Sequence, residues 1–188
     1  MSTALIVVDV QNDFCEGGAL GVDGGNVVAS KLAAQLANGR GGYDWVVATR
    51  DHHIDPGDHF SDQPDFVDSW PPHCVVGTPG QQLHPDLAGF GFDAVFDKGS
   101  YQAAYSGFEG SIGGADDGQR LADWLHERDV TRVDVVGIAT DYCVRATAID
   151  AAKEGFATSV FGQLTAPVHP ERVETVFAEL AERGIGIA

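Results

Sequence analysis

Basic charge is the scarcest commodity in this sequence: eleven Lys and Arg stand against 28 Asp and Glu, a formal net charge of −17 over 188 residues. A surface of that sign repels phosphate backbones and anionic lipids, which argues against nucleic-acid and membrane partners and favours a small neutral substrate. Lysine is down to three positions, Lys31, Lys98 and Lys153, with Arg at the other eight, so the placement of each lysine carries information. Cysteine is equally sparse. Cys15, Cys74 and Cys143 form an odd set without an export signal, which argues against a disulfide framework and leaves at least one free thiol. No apolar run approaches the ~20 residues of a membrane span. The opening MSTALIVVDVQNDF has neither a basic segment nor a small-residue cleavage site, so it reads as a buried strand and not a signal peptide; the expected compartment is the cytoplasm. There is no internal repeat and no long low-complexity tract.

What is present suits one α/β domain. Hydrophobic residues make up 44%, enough for a core, and the length fits a single unit over 1–188. Short β-rich runs at 4–10, 43–49, 93–99, 133–140 and 157–161, with a possible sixth at the terminal GIGIA, alternate with helical patterns at 26–38, 116–129, 142–155 and 170–184. That alternation predicts a three-layer α/β/α sandwich around a mostly parallel, roughly six-stranded sheet. Residues 50–92, rich in Pro, Gly, Asp and His, form a loop insertion too long to be idle in a compact domain.

Ligands in such folds sit at the carboxyl ends of the strands. Asp9 closes the first, Asp51 the second and Lys98 the third, while Cys143 lies just inside the helix after the fourth. A thiol in the first turn of a helix meets the positive end of the macrodipole and unpaired N–H groups, which favour the thiolate and can hold an oxyanion. Taken alone, a helix cysteine is more often a small core residue, and Cys15 and Cys74 are read that way. Asp9 follows five apolar residues and is a candidate base for the thiol, against the plain alternative of a turn cap, open to Asp13 as well. Lys98 can hold the pair ionised or support developing negative charge; a surface lysine is the bland reading.

The histidines form a second constellation. In RDHHIDPGDHF, Asp51 and His53 share a face of extended chain, the Asp55–Asp58 turn brings His59 back, and His73 in SWPPHC closes the set. One carboxylate and three imidazoles suit a divalent metal with positions left open, and Zn, Fe and Mn fit alike. His52 points the opposite way. His84, His126 and His169 read as surface residues.

The segments ALIVVDVQNDFCEGGAL, DHHIDPGDHF, SWPPHC, FDKGSYQAAYSGFEG and VVGIATDYCV, all in register, resemble the nicotinamidases (pyrazinamidases) within the isochorismatase-like cysteine hydrolases. The resemblance covers essentially the whole chain. It implies Asp9, Lys98 and Cys143 as the catalytic set and Asp51, His53, His59 and His73 as ligands of one divalent metal. It further implies a cis Ile138–Ala139 peptide, an oxyanion hole from the Ala139 and Cys143 amides, and a substrate pocket with Ile138 and the ring-binding aromatics Phe14, Trp70 and Tyr105. The implied reaction is hydrolysis of nicotinamide, with pyrazinamide alongside, through a Cys143 thioester that water releases with help from the metal. Two departures stand out: Tyr142 where His is frequent, and a variable GSIGGADDG after Phe108.

Two alternatives compete. One keeps the fold but changes the substrate to another small amide, ureido compound or vinyl ether. The other is a non-catalytic thiol-based redox or binding module, which leaves Asp9, Lys98 and the four metal-ligand candidates unexplained. Oligomeric state, monomer or homo-oligomer, is left open. The 20 Asp and three Lys raise a separate expectation of a salt-rich cytoplasm, against the alternative of a GC-rich genome.

Overall fold

A computed structural model describes residues 2–188. Its sheet has seven strands: β1 (Ser2–Val8), β2 (Trp45–Asp51), β3 (Ala94–Lys98), β4 (Ser111–Ile112), β5 (Val130–Ile138), β6 (Ala157–Ala166) and β7 (Gly186–Ile187), in the order β4-β3-β2-β1-β5-β6-β7. Every neighbouring pair is parallel except the short edge pair β3–β4. The helices are α1 (Gly25–Ala37), α2 (Pro85–Ala88), α3 (Leu121–His126), α4 (Arg145–Lys153) and α5 (Val173–Glu182). Among the described residues none is long and apolar enough to cross a membrane.

β1 explains the layering. Its residues Ala4–Val8 are fully buried, and alternate side chains enter opposite cores. Ala4, Ile6 and Val8 pack with Leu125 of α3, Ala148 of α4 and Leu180 of α5. Leu5 and Val7 pack with Leu32 and Leu36 of α1 and Leu87 of α2. A strand covered on both faces must read as a continuous apolar run, which is why ALIVV has no polar alternation.

The chain winds outward from β1 through β2 and β3, then returns to lay β5 on β1's other side. The order therefore reverses between β1 and β5, and a crevice opens beyond their carboxyl ends, the usual ligand position in such sheets.

Five expectations shift. The sheet gains the two-residue antiparallel β4, and β6 runs on to Ala166 instead of stopping at 161. The helix expected over 116–129 is confined to Leu121–His126, because Ser111 bridges Arg120 and the intervening glycines Gly113 and Gly114 take left-handed turns. The helix expected from 142 begins as one wide π-helical turn, Thr140–Val144, before α4. The 50–92 insertion is not structureless: bridges His53–Val75 and Phe60–Trp70 fold it back on itself, with 3-10 turns at Gly57–His59 and Pro79–Gln81.

Candidate active site

The strand-end residues converge at the switch between β1 and β5. Asp9, one residue past β1, takes a left-handed φ of 48° and is fully buried; such backbone strain in a non-glycine residue collects at functional sites. Its Oδ1 accepts a 2.6 Å hydrogen bond from the Thr49 hydroxyl, which leaves Oδ2 for Lys98, 2.9 Å away. The Lys98 ammonium lies 3.8 Å from Cys143 Sγ, donates to the Ala104 carbonyl at 2.9 Å and pairs with Asp51 Oδ1. One cation thus serves two carboxylates and a thiol, all buried.

Sharing one cation drives the carboxylates apart. Burial would raise Asp51, but the Lys98 ammonium, with the His53 and His73 rings close by, holds it well below the usual carboxylate range. Asp9 goes up, pushed by burial against the pull of Lys98, with Asp51 adding to the rise. Burial alone would discharge Lys98, yet Asp51 and Asp9 keep it firmly protonated. Cys143 differs from expectation. Burial lifts its thiol well above the ordinary value, Asp9 and Asp51 add to the rise, and Lys98 opposes it. The resting group is the thiol and not a helix-stabilised thiolate.

His53, His59 and His73 come together as expected, each offering a ring nitrogen within 4.8 Å of the others. His53 Nδ1 meets the Gly99 carbonyl at 2.6 Å and His73 Nδ1 meets the Pro71 carbonyl at 2.8 Å. Those carbonyls accept the ring protons and turn both Nε2 atoms toward Asp51 Oδ2, at 3.5 and 3.7 Å. Gly99 is required here: with φ at 79°, a Cβ would sit 2.7 Å from the His53 ring. Among the described residues, His53 Nε2 and His59 Nδ1 are buried without a hydrogen-bond partner. Burial, with His53 and His73 nearby, pushes His59 down to about 4, so its imidazole is neutral at physiological pH. Orphaned ring nitrogens converging beside a carboxylate fit a divalent cation. His52 faces away, bonded to Gln81 at 2.8 Å and 3.6 Å from Asp97.

Between the two groups lies a cleft of about 440 Å³ that Cys143, Ala139, Ile138, Asp51, His59 and His73 reach from within. Phe14 forms one wall, its ring 5.3 Å from that of His73. Trp70 and Tyr105 form the other, joined by a 3.2 Å bond from the indole N–H to the phenol oxygen. The Ile138–Ala139 peptide is cis, as the resemblance implies.

Three residues outside the expected site set shape the cleft: Tyr142, marked in the sequence only as a departure from the family pattern, and Asp141 and Gln11. Tyr142 packs edge-on against Trp70 with centroids 5.2 Å apart and completes the aromatic wall. Asp141 accepts the amides of Val168 and His169, fixing Val168 as the far wall. The fully buried Gln11 grips Asp51 through its N–H and carbonyl, at 2.8 and 2.9 Å. A polar side chain just beyond an apolar strand, as in VDVQND, was the available signal for Gln11; the others depend on contacts between distant segments.

The isochorismatase-domain family model matches residues 3–188. This chain belongs to the isochorismatase family. The nicotinamidase/pyrazinamidase of Mycobacterium tuberculosis is 54% identical to this isochorismatase-family chain over 177 residues, covering 94% of it and 93% of the relative. The pyrazinamidase of Pyrococcus horikoshii, solved in complex with zinc, has a TM-score of 0.78 at 35% identity, over 100% of this chain and 99% of its own. PnC1 of L. infantum, solved in complex with nicotinate, has a TM-score of 0.81 at 35% identity, over 100% and 92%.

Proposed function

We propose that this chain, as a single hydrolase domain with 50–92 as its metal-binding loop, hydrolyses nicotinamide to nicotinate and ammonia, and pyrazinamide likewise. The observation that carries the reading is Lys98 between Asp9 and Cys143, at 2.9 and 3.8 Å, at the floor of an aromatic-walled cleft. Relatives named for both amides, together with a neighbour solved with nicotinate, support the substrate.

Phe14, Trp70 and Tyr105 sandwich the planar ring and exclude water, and Ile138 packs at its edge. Asp9 takes the Cys143 proton as the sulfur attacks the carboxamide carbon. The Ala139 and Cys143 amides hold the resulting oxyanion. Asp9, now protonated, returns that proton to the departing nitrogen, ammonia leaves, and a thioester remains. Asp9 then takes a proton from water as the water oxygen attacks the thioester carbon; collapse breaks the C–S bond, the proton on Asp9 returns to sulfur, and the nicotinic acid set free loses its own proton to solvent as nicotinate. Lys98 stays charged throughout and offsets the negative charge that moves between Asp9 and Cys143. Asp51, His53, His59 and His73 would hold a divalent ion, zinc by the chemistry of the neighbour, which supplies Lewis-acid charge at the edge of the cleft.

The test is ammonia release over a panel of nicotinamide, pyrazinamide, aliphatic amides and ureido compounds, with metal analysis of the same sample. Nicotinamide and pyrazinamide should lead. Faster turnover of an aliphatic or ureido substrate would move the chain to another branch of the family.

A further inference from the structure

Asp13 belongs to neither the catalytic set nor the metal ligands, yet its carboxylate ties the two halves of the cleft together. Its Oδ2 accepts the Cys74 amide at 2.7 Å, the N–H that directly follows His73. The Cys74 carbonyl on the other side accepts the His53 amide at 3.1 Å. One residue therefore links Asp13 to the backbones of two of the three clustered histidines. Cys74 itself sits at a left-handed φ of 47°, a conformation a non-glycine residue keeps only when its surroundings dictate it. Asp13 also organises the opposite wall. Its Oδ1 accepts the Ala19 amide at 3.2 Å, its carbonyl accepts the Leu20 amide at 2.9 Å, and Phe14 is its chain neighbour. Phe14, Leu20 and His73 all line the cleft. Gly80 completes the fit, since a Cβ there would lie 2.1 Å from the Asp13 carboxylate.

We infer that Asp13 is a positioning residue that holds the histidine cluster and the ring-binding wall as one piece, so that metal affinity and amide binding depend on it together. This rests on the roles proposed above for His53, His73 and Phe14. A carboxylate is needed because two N–H groups approach its two oxygens. An amide in its place keeps one acceptor and turns a donor toward the other N–H.

The experiment titrates metal-stripped protein with Zn²⁺ and measures KM and kcat for nicotinamide, for the parent chain, Asp13→Asn, Asp13→Ala and Glu16→Ala. Loss of a group that orients metal ligands costs about 10–100-fold in affinity, and Asp13→Ala should weaken Zn²⁺ on that scale. Asp13→Asn should weaken it less, and both should raise KM more than they lower kcat. Glu16 lies in the same loop and accepts the Gly24 and Asn26 amides at the start of α1, with no link to Cys74. Glu16→Ala should lower the thermal midpoint while leaving Zn²⁺ affinity unchanged, which separates positioning from general loosening of the loop. Parental Zn²⁺ affinity in both Asp13 variants overturns the assignment, whatever their thermal midpoints, and so does a parent chain that binds no Zn²⁺. A parent that binds Zn²⁺ but releases no ammonia from nicotinamide sinks the proposed activity instead, and the Asp13 assignment is then judged on the titration alone.

Discussion

At the scale of single residues, the division of labour between two carboxylates is the point most open to test. Asp9 and Asp51 share Lys98, and the structure sends their pKa values in opposite directions. The higher one belongs to the base. Catalysis needs Asp9 ionised, so kcat/KM should fall as pH drops through its pKa, with the acid limb above the usual aspartate value of about 3.9. A limb at or below that value contradicts the assignment. Asp9→Asn should lose ~10²–10⁴-fold in rate, the usual worth of a general base. Asp9, Asp51, Lys98 and Cys143 were legible in the sequence because parallel strand ends converge and each carries one reactive group. The state of the thiol was not. Helix position argued for a thiolate, but burial and two nearby carboxylates keep the proton on sulfur, and those neighbours arrive from other strands.

At the scale of elements, the 50–92 insertion acts through alternation in extended chain. Neighbouring residues face opposite sides, so His53 enters the cluster while His52 meets Gln81. Purified protein should carry about one divalent ion per chain, as expected of a single four-ligand site. His53→Ala and His59→Ala should lose it and His52→Ala should keep it, by elemental analysis. Loss in the His52 variant with retention in the His53 variant would reverse the faces. Strand ends depend on contacts too close for any substituent: Gly137, at φ 115°, would place a Cβ 2.1 Å from the Val8 carbonyl. Gly137→Ala should therefore cost upwards of about 1–3 kcal/mol in a denaturant melt; an unchanged midpoint would show that β1 and β5 can separate there. Hydrophobic periodicity revealed the long elements. It missed β4 and overextended α3, because two-residue pairing and glycine turns at 111–120 leave no periodic trace.

At the scale of the whole molecule, the layers and the parallel sheet followed from alternating strands and helices, whereas the strand order, and the crevice that it opens, came from the structure. The net charge of −17 has no counterpart in that logic. Self-repulsion at this density weakens the compact state in dilute buffer, and salt screens it over ~8 Å at 0.15 M but ~3 Å at 1 M. The thermal midpoint and activity should rise from low to molar KCl; a flat or falling midpoint would leave genome composition as the better account of the acidic residues. The central claim is chemical, that Cys143 carries the acyl group of nicotinamide. It is tested most directly by intact-mass spectrometry of enzyme acid-quenched during turnover. The account predicts a transient mass increase of one nicotinoyl group on the peptide containing Cys143, and neither adduct nor ammonia from the Cys143→Ala protein. Sustained turnover by that variant would contradict it.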